Sequence, residues 1–325
     1  MELNLEHVAI TRFSDISDKS FEILNLNKNY LRHIPPEFLP PTLKHLSLDI
    51  NDIHHLELNS PLPNLLTLSI NINELRHIDM DITLPVLHTL SAKSNRLSNL
   101  EFLSSMPSLK NLIIGQNNIR VLENLPNSLQ SIQANFNKIQ MVQSRLPPGL
   151  LELNLLGNSL RNGSLPLHWP TSLRVLNLSY NSLTEFPKKL PDGLEDLRLV
   201  ENMIETIPSK LPSKLIRLTL AGNKIRSLPE TMNVQLEVLI VSKNRLTQDF
   251  GKKQVSWTNY FFEEDNWNKT EHHIAQTILR RCWKRYLLKI RLRHIARSRR
   301  IYDELLVVSL HPDHILQTDT FSWQS

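Results

Sequence analysis

SLRVLNLSYNSLTEFPKKLP (172–191), GLEDLRLVENMIETIPSKLP (193–212) and KLIRLTLAGNKIRSLP (214–229) are one unit written three times. Aligned on its fixed positions the unit reads PxxLxxLxLxxNxLxxLP, with Asn181, Asn202 and Asn223 twenty-one residues apart. Alternation of apolar and polar residues in LxLxx is the period of a half-buried strand, so Leu176 and Leu178 point one way and Asn177 the other. The asparagine stands where the chain turns inward, and a buried amide there donates to and accepts from neighbouring turns; left unpaired it costs roughly 1–3 kcal/mol. Pro187, Pro191, Pro208 and Pro212 cannot continue a ladder or a long helix and favour an extended, polyproline-like return. No single unit buries its own leucines, and stacking buries them in one continuous core, which makes the chain a solenoid.

Working outward, the same asparagine recurs at Asn29, Asn51, Asn73, Asn95, Asn117, Asn137, Asn158, Asn181, Asn202, Asn223 and Asn244, so residues 21–246 read as eleven repeats. Their inward slots are held by pairs such as Leu46 and Leu48, Leu68 and Ile70, or Leu153 and Leu155, while Ala92 and Ala134 underfill theirs. A proline two or three residues before most first leucines, as at Pro41, Pro63, Pro107 and Pro148, closes each turn. Residues 1–20 read as an N-terminal cap or degenerate repeat in which Leu5, Val8 and Ile10 keep the strand spacing and Phe13 stands in the asparagine place.

The reiterated LxxLxLxxNxL pattern resembles the leucine-rich-repeat family, and the Pro-bearing return resembles its short class, found in bacterial effectors and in large viruses of protists. That resemblance implies an α/β solenoid, a horseshoe whose short parallel strands line a concave, partner-binding face opposite a largely irregular or polyproline convex side. At about 4.8 Å per strand, eleven strands give a face on the order of 50 Å long, the size of a protein surface. An open sheet does not supply the closed pocket that a small-molecule enzyme wants.

Along that face the first repeats offer Asn25, Ser47, Ser69 and Ser91, a small neutral-polar strip. The character then changes to Ile113, Phe136, Leu156, Val175, Tyr180 and Val200, flanked by Asp196, Arg198, Glu201 and Arg217. Apolar and aromatic groups ringed by charge fit a binding hot spot, so the candidate partner-binding residues are Phe136, Leu156, Val175, Tyr180, Asp196, Arg198, Val200 and Arg217. Phe136 and Tyr180 stand immediately before an asparagine, where folding over the strand edge as packing is the alternative.

Beyond the array, residues 247–269 carry Trp257, Tyr260, Phe261, Phe262 and Trp267 and read as an aromatic C-terminal cap. Residues 270–309 then read as a basic amphipathic helix, opened by Thr270 and Glu271 and striped by Ile274, Ile278, Cys282, Tyr286 and Ile290, with residues 310–325 a flexible tail. Ten basic residues and no acid lie between Arg280 and Arg300, and this segment supplies much of the net charge of +5. AQTILRRCWKRYLL (275–288) resembles an IQ motif in the register Gln276, Arg280, Arg285 and Leu288, with Ala275 and Arg281 departing from it. By resemblance a calmodulin-like EF-hand protein grips those four residues. Packing on the solenoid end, or attraction to membranes or nucleic acid, are the alternatives for the same helix.

The sequence carries no recognised catalytic pattern. Seven scattered glycines make no phosphate loop, and Cys282 stands on the apolar stripe, where a packed thiol is inert. Some bacterial effectors of this repeat class carry a ubiquitin-ligase domain whose catalytic cysteine is followed two residues on by an acid; Cys282 is followed by Trp283 and Lys284. No cofactor, metal or catalytic residue is expected. One cysteine, an acidic start and no long apolar run point to an intracellular, cytoplasmic protein. The expectation is a monomeric, non-catalytic scaffold; an effector-type or ubiquitin-ligase-associated adaptor, or a tail-anchored membrane or nucleic-acid binder, are the competing readings.

Overall fold

The computed structural model describes residues 2–10, 21–35, 38–229 and 236–246. The chain divides into two compact units, Met1–Phe262 and Glu263–Ser325, and every described residue falls in the first. Phe13, the aromatic cap at 247–269, the IQ-like segment with Gln276, Arg280, Arg285 and Leu288, and the tail at 310–325 lie outside the described residues.

Twelve three-residue strands make one parallel sheet: β1 (Glu2–Asn4), β2 (Ile23–Asn25), β3 (His45–Ser47), β5 (Thr67–Ser69), β7 (Thr89–Ser91), β8 (Asn111–Ile113), β10 (Ser131–Gln133), β12 (Glu152–Asn154), β13 (Val175–Asn177), β14 (Asp196–Arg198), β15 (Arg217–Thr219) and β16 (Val238–Ile240). Strands adjacent in the sheet come from consecutive turns, and the central leucines align from Leu3 and Leu24 through Leu176, Leu197 and Leu218 to Leu239. Leu176 and Leu178 are fully buried and Asn177 between them is half-buried, the alternation a strand requires. Ala92 and Ala134 are also fully buried, in the slots leucine fills elsewhere.

Each turn closes by the same device. The N–H of the first leucine donates to the carbonyl three residues back, as from Leu150 to Pro147, Leu173 to Pro170, Leu194 to Pro191 and Leu215 to Pro212, each at 3.1 Å. Where the acceptor is Leu62, Leu84 or Met106 instead, a proline follows it, in the position where its fixed φ favours a turn.

The asparagines join turn to turn. Asn51 donates from Nδ2 to the carbonyl of Leu26 (2.9 Å) in the preceding turn and of Leu48 (3.1 Å) in its own, and accepts from the N–H of Leu31 (3.1 Å). The pattern repeats down to Asn244, which donates to Leu220 and Val241 and accepts from Ile225. The residue before every one of the eleven asparagines is left-handed, with φ between 53° and 69°, yet only Gly157 and Gly222 among them are glycines. Nine other side chains, including those of Ile50, Ile72, Phe136 and Tyr180, accept a conformation that costs about 1–2 kcal/mol, because the amide bonds of the following asparagine hold the backbone there.

Two expectations need correction. The pairing of Leu3 with Leu24 puts Val8, not Phe13, in the asparagine place of the first turn; Val8 is 55% exposed, and the preceding His7 has the same positive φ of 58°. The return side is also less irregular than its prolines suggest. It carries two short parallel pairs, β4 (His55–Leu58) with β6 (His77–Met80) and β9 (Val121–Leu122) with β11 (Met141–Val142), and 3-10 turns at Glu101–Ser105 and Asn162–Ser164. In those strands every second residue is apolar and buried or, at Met80, half-buried, so turns without proline there pair as strands. Among the described residues there is no α-helix.

Candidate interaction face

Three rows of side chains run across the open side of the sheet: the first and third residues of each strand, and the residue two further on. In the first turns the second and third of these rows close on each other. Ser47 Oγ (2.8 Å) and the N–H of Asp49 (2.6 Å) both donate to Asn27 Oδ1. Ser69 Oγ (2.8 Å) and the N–H of Asn71 (2.6 Å) donate to Asp49 Oδ1, and Ser91 Oγ (2.7 Å) and the N–H of Lys93 (2.8 Å) donate to Asn71 Oδ1. The neutral strip expected from Asn25, Ser47, Ser69 and Ser91 is therefore a ladder whose serine hydroxyls are already committed to the side-chain oxygens of Asn27, Asp49 and Asn71, the second of these a carboxylate. It ends at Ile113, which pairs in register with Ser91 and has no hydroxyl to give.

Past Ile113 the face separates into two edges. Leu156 and Val200, both half-buried, occupy the third row with buried Ser179 between them, whose Oγ accepts from the N–H of Val200 at 3.1 Å. Tyr180 follows Ser179 and is half-buried. The first row runs Val175, Asp196, Arg217, Val238, each beside the next. Asp196 is 8% exposed and takes two guanidinium groups: Arg198 donates through Nε (3.2 and 3.3 Å) and Nη2 (2.8 Å), and Arg217 through Nη1 (3.1 Å). The two arginine side chains stay 44% and 48% exposed. Thr219 is the register neighbour of Arg198; it is 4% exposed, and its hydroxyl has no hydrogen-bond partner among the described residues. A buried hydroxyl left so costs about 1–3 kcal/mol.

Phe136 belongs to a different row. Its ring lies over Gly157, so close that a Cβ there would sit 2.6 Å from Cδ1. Glu201 lies over Gly222 in the same way, and Ser94 hydrogen-bonds Gln116. Side chains just before the asparagines thus lean along the stack onto the next turn, and for Phe136 packing is what the geometry shows. The repeating positive φ was the signal missed in the sequence, where nine of eleven such positions carry no glycine.

Burial, with a smaller push from the Glu201 carboxylate, raises the Tyr180 phenol above its ordinary pKa of 10.0. Folding therefore keeps it neutral, and the stability this reflects is present below the unfolded value and lost as pH climbs through the folded one. In an absorbance titration of phenolate, Tyr180→Phe is expected to remove amplitude above pH 10; loss of only the early amplitude would contradict this burial.

Among the described residues no group of histidine, cysteine and carboxylate side chains is placed to hold a metal ion, and no helix is long and apolar enough to cross a membrane. No family model matches the sequence, and no curated protein does. Solved structures do. YopM from Yersinia enterocolitica WA-314 is 28% identical with a TM-score of 0.61, over 76% of this chain and 56% of that one, so the match spans just over half of YopM. The leucine-rich-repeat domain of APL1B is 25% identical with a TM-score of 0.63, over 74% of this chain and 75% of its own. An octameric complex of latrophilin 3, Unc5D and the leucine-rich repeats of FLRT2 holds a chain 21% identical with a TM-score of 0.62, over 74% and 81%, a likeness of fold alone. Register, asparagine ladder and structural neighbours agree: the described chain is a parallel β-solenoid of about eleven turns with the fold of leucine-rich-repeat proteins.

Proposed function

We propose that this protein is a non-catalytic, intracellular interaction scaffold that holds a protein partner on the sheet face between Leu156 and Arg217. The asymmetry of that face carries the reading. Its first turns present a hydrogen-bonded ladder with its groups already satisfied, whereas the later turns present half-buried Leu156, Val175, Tyr180 and Val200 beside an arginine pair. Apolar surface next to charge is what an interface centre uses, and aromatic and arginine side chains dominate such centres. The test uses the full chain to select binders from a random peptide display library. Selected peptides are expected to release from Leu156→Asp/Val200→Asp and to stay bound to Asn111→Asp, exposed on the same sheet; retention by all three would refute the reading.

The tail extends the proposal. Its sequence supports a second, calmodulin-like partner held through Gln276, Arg280, Arg285 and Leu288. A fluorescent peptide covering Glu271 to Arg300 is expected to bind calmodulin tightly at moderate salt and to lose that binding in Gln276→Ala/Arg280→Ala. Salt-sensitive binding that ignores both substitutions would favour membrane or nucleic-acid attraction instead. An effector-type or ligase-associated role differs by requiring co-purifying ubiquitin machinery.

A further inference from the structure

We infer that the amide row crossing β10, β12 and β13 recognises the main-chain carbonyls of a partner segment in an extended, polyproline-like conformation. The inference rests on the face being the partner site and adds what its middle strands read. Gln133, Asn154 and Asn177 are register partners in the second row of three consecutive turns, and all are half-buried. Two backbone donors fix which way their amides point. The N–H of Leu156 donates to Asn154 Oδ1 (3.1 Å) and that of Ser179 to Asn177 Oδ1 (3.0 Å), and of the two amide atoms only the oxygen accepts. Asn154 Nδ2 therefore faces along the row and donates to Gln133 Oε1 at 2.9 Å. What is left at either end is an NH2 group: Gln133 Nε2 and Asn177 Nδ2 have no partner among the described residues. Asn135, two residues past Gln133, lies over the backbone of Gly115 and adds a third unpaired amide among the described residues.

Charge and spacing say what meets those donors. The row is neutral, and Glu152 stands beside Asn154 in the first row of β12, so an anionic group is repelled and an uncharged carbonyl oxygen is the matching acceptor. Two strand steps of about 4.8 Å put the end donors about 10 Å apart. A polyproline II chain turns once in three residues at about 3.1 Å each, so its carbonyls point the same way every 9 Å or about that, and none is used within the segment. A flat strand repeats its carbonyl direction every two residues, about 7 Å, and fits the donors less well. Leu156, two residues beyond Asn154 and half-buried, offers an apolar neighbour to a side chain between the two carbonyls.

The start of the sheet has no such free donors among the described residues. Asn25 makes the same turn, its Oδ1 accepting from the N–H of Asn27 at 3.0 Å, but its Nδ2 is given to Glu6 Oε2 at 3.3 Å. The equivalent positions in β3, β5 and β7 are serines bonded within the ladder.

The experiment takes peptides selected on the full chain and alters one peptide link at a time, to an ester or to its N-methyl form. An ester weakens the carbonyl acceptor and removes the N–H, whereas N-methylation removes the N–H alone. Each is titrated against the wild-type protein, Gln133→Glu and Asn177→Asp. Both substitutions keep the oxygen that Asn154 Nδ2 or the Ser179 N–H uses, which guards the fold, and remove only the NH2 group. Asn111→Asp places the same added charge on β8, outside the row. Esters at two links three residues apart are expected to weaken wild-type binding by about threefold or more, and N-methylation of the same links to leave it within about twofold. One ester loss is expected to vanish in Gln133→Glu and the other in Asn177→Asp, the coupling of a shared contact, with neither changed by Asn111→Asp. Peptides that need Leu156 and Val200 yet tolerate every ester as well as N-methylation, or whose ester losses persist in both variants, overturn this inference and leave the face as partner site. Peptides indifferent to every face substitution overturn both.

Discussion

Asn117→Ala is expected to lower the stability of the repeat array by about 3 kcal/mol, with the urea midpoint by far-ultraviolet circular dichroism as the readout. Asn117 is 7% exposed. Its Nδ2 donates to the carbonyls of Ala92 (2.9 Å) and Ile114 (3.0 Å), and its Oδ1 accepts from the N–H of Leu97 (2.9 Å). Alanine leaves the Leu97 N–H buried without an acceptor and strips one of two asparagine donors from each carbonyl, since Asn95 still reaches Ala92 and Asn137 still reaches Ile114, and water cannot enter to replace what is lost. Asn158 makes the equivalent bonds to Ala134, Leu155 and Ile139 but is only half-buried. Asn158→Ala is accordingly expected to cost about 1 kcal/mol, because solvent replaces part of what is lost. Equal costs at the two sites would show that burial does not set the value of the ladder.

The second large effect is a double-mutant cycle at Gly157 and Phe136. Gly157 has φ of 66°, and an added methyl would lie 2.6 Å from Cδ1 and 2.9 Å from Cε1 of the Phe136 ring. The left-handed backbone alone costs a non-glycine residue about 1–2 kcal/mol. Forcing the ring aside brings the total for Gly157→Ala to about 2–3 kcal/mol, within the range of overpacking. In the Phe136→Ala background the methyl meets no ring, so Gly157→Ala is expected to cost about 1 kcal/mol and the cycle to show coupling of about 1 kcal/mol or more. Additive behaviour would mean that the ring does not rest on Gly157. The cycle also tests role, since a Phe136 held against the next turn is a packing residue of the stack.

Together these predictions separate two jobs that share each turn. Inward leucines and the asparagine amide hold turn to turn, and they are the same in every turn. Face residues are free to differ, and they do: serine with Asn or Asp in the early turns, Leu156 with Val200 and the Asp196–arginine unit in the later ones. In a stack where each turn touches mainly its neighbours, a face can be rewritten locally with little cost to the core.

The sequence by itself determined the solenoid. The repeat spacing, the inward pair such as Leu176 and Leu178, and the asparagine are all local patterns, and a pattern repeated at fixed period can bury its leucines only by stacking. It also marked most residues of the later face, because alternation alone says which side chains point outward. Only the tertiary structure decided how those outward residues meet. That Asp196 reaches across to Arg217, that the early serines close on Asn27, Asp49 and Asn71, and that Phe136 leans on Gly157 are contacts between strands or turns some twenty residues apart. The first turn was misread for the same reason: the place of Val8 follows from Leu3 pairing with Leu24, a register set by neighbouring backbone and not by any motif in residues 2–10. Left-handed backbone at Ile50, Ile72 and Tyr180 escaped the sequence because glycine is its usual sign, and here the following asparagine's bonds to the adjacent turn hold the conformation instead.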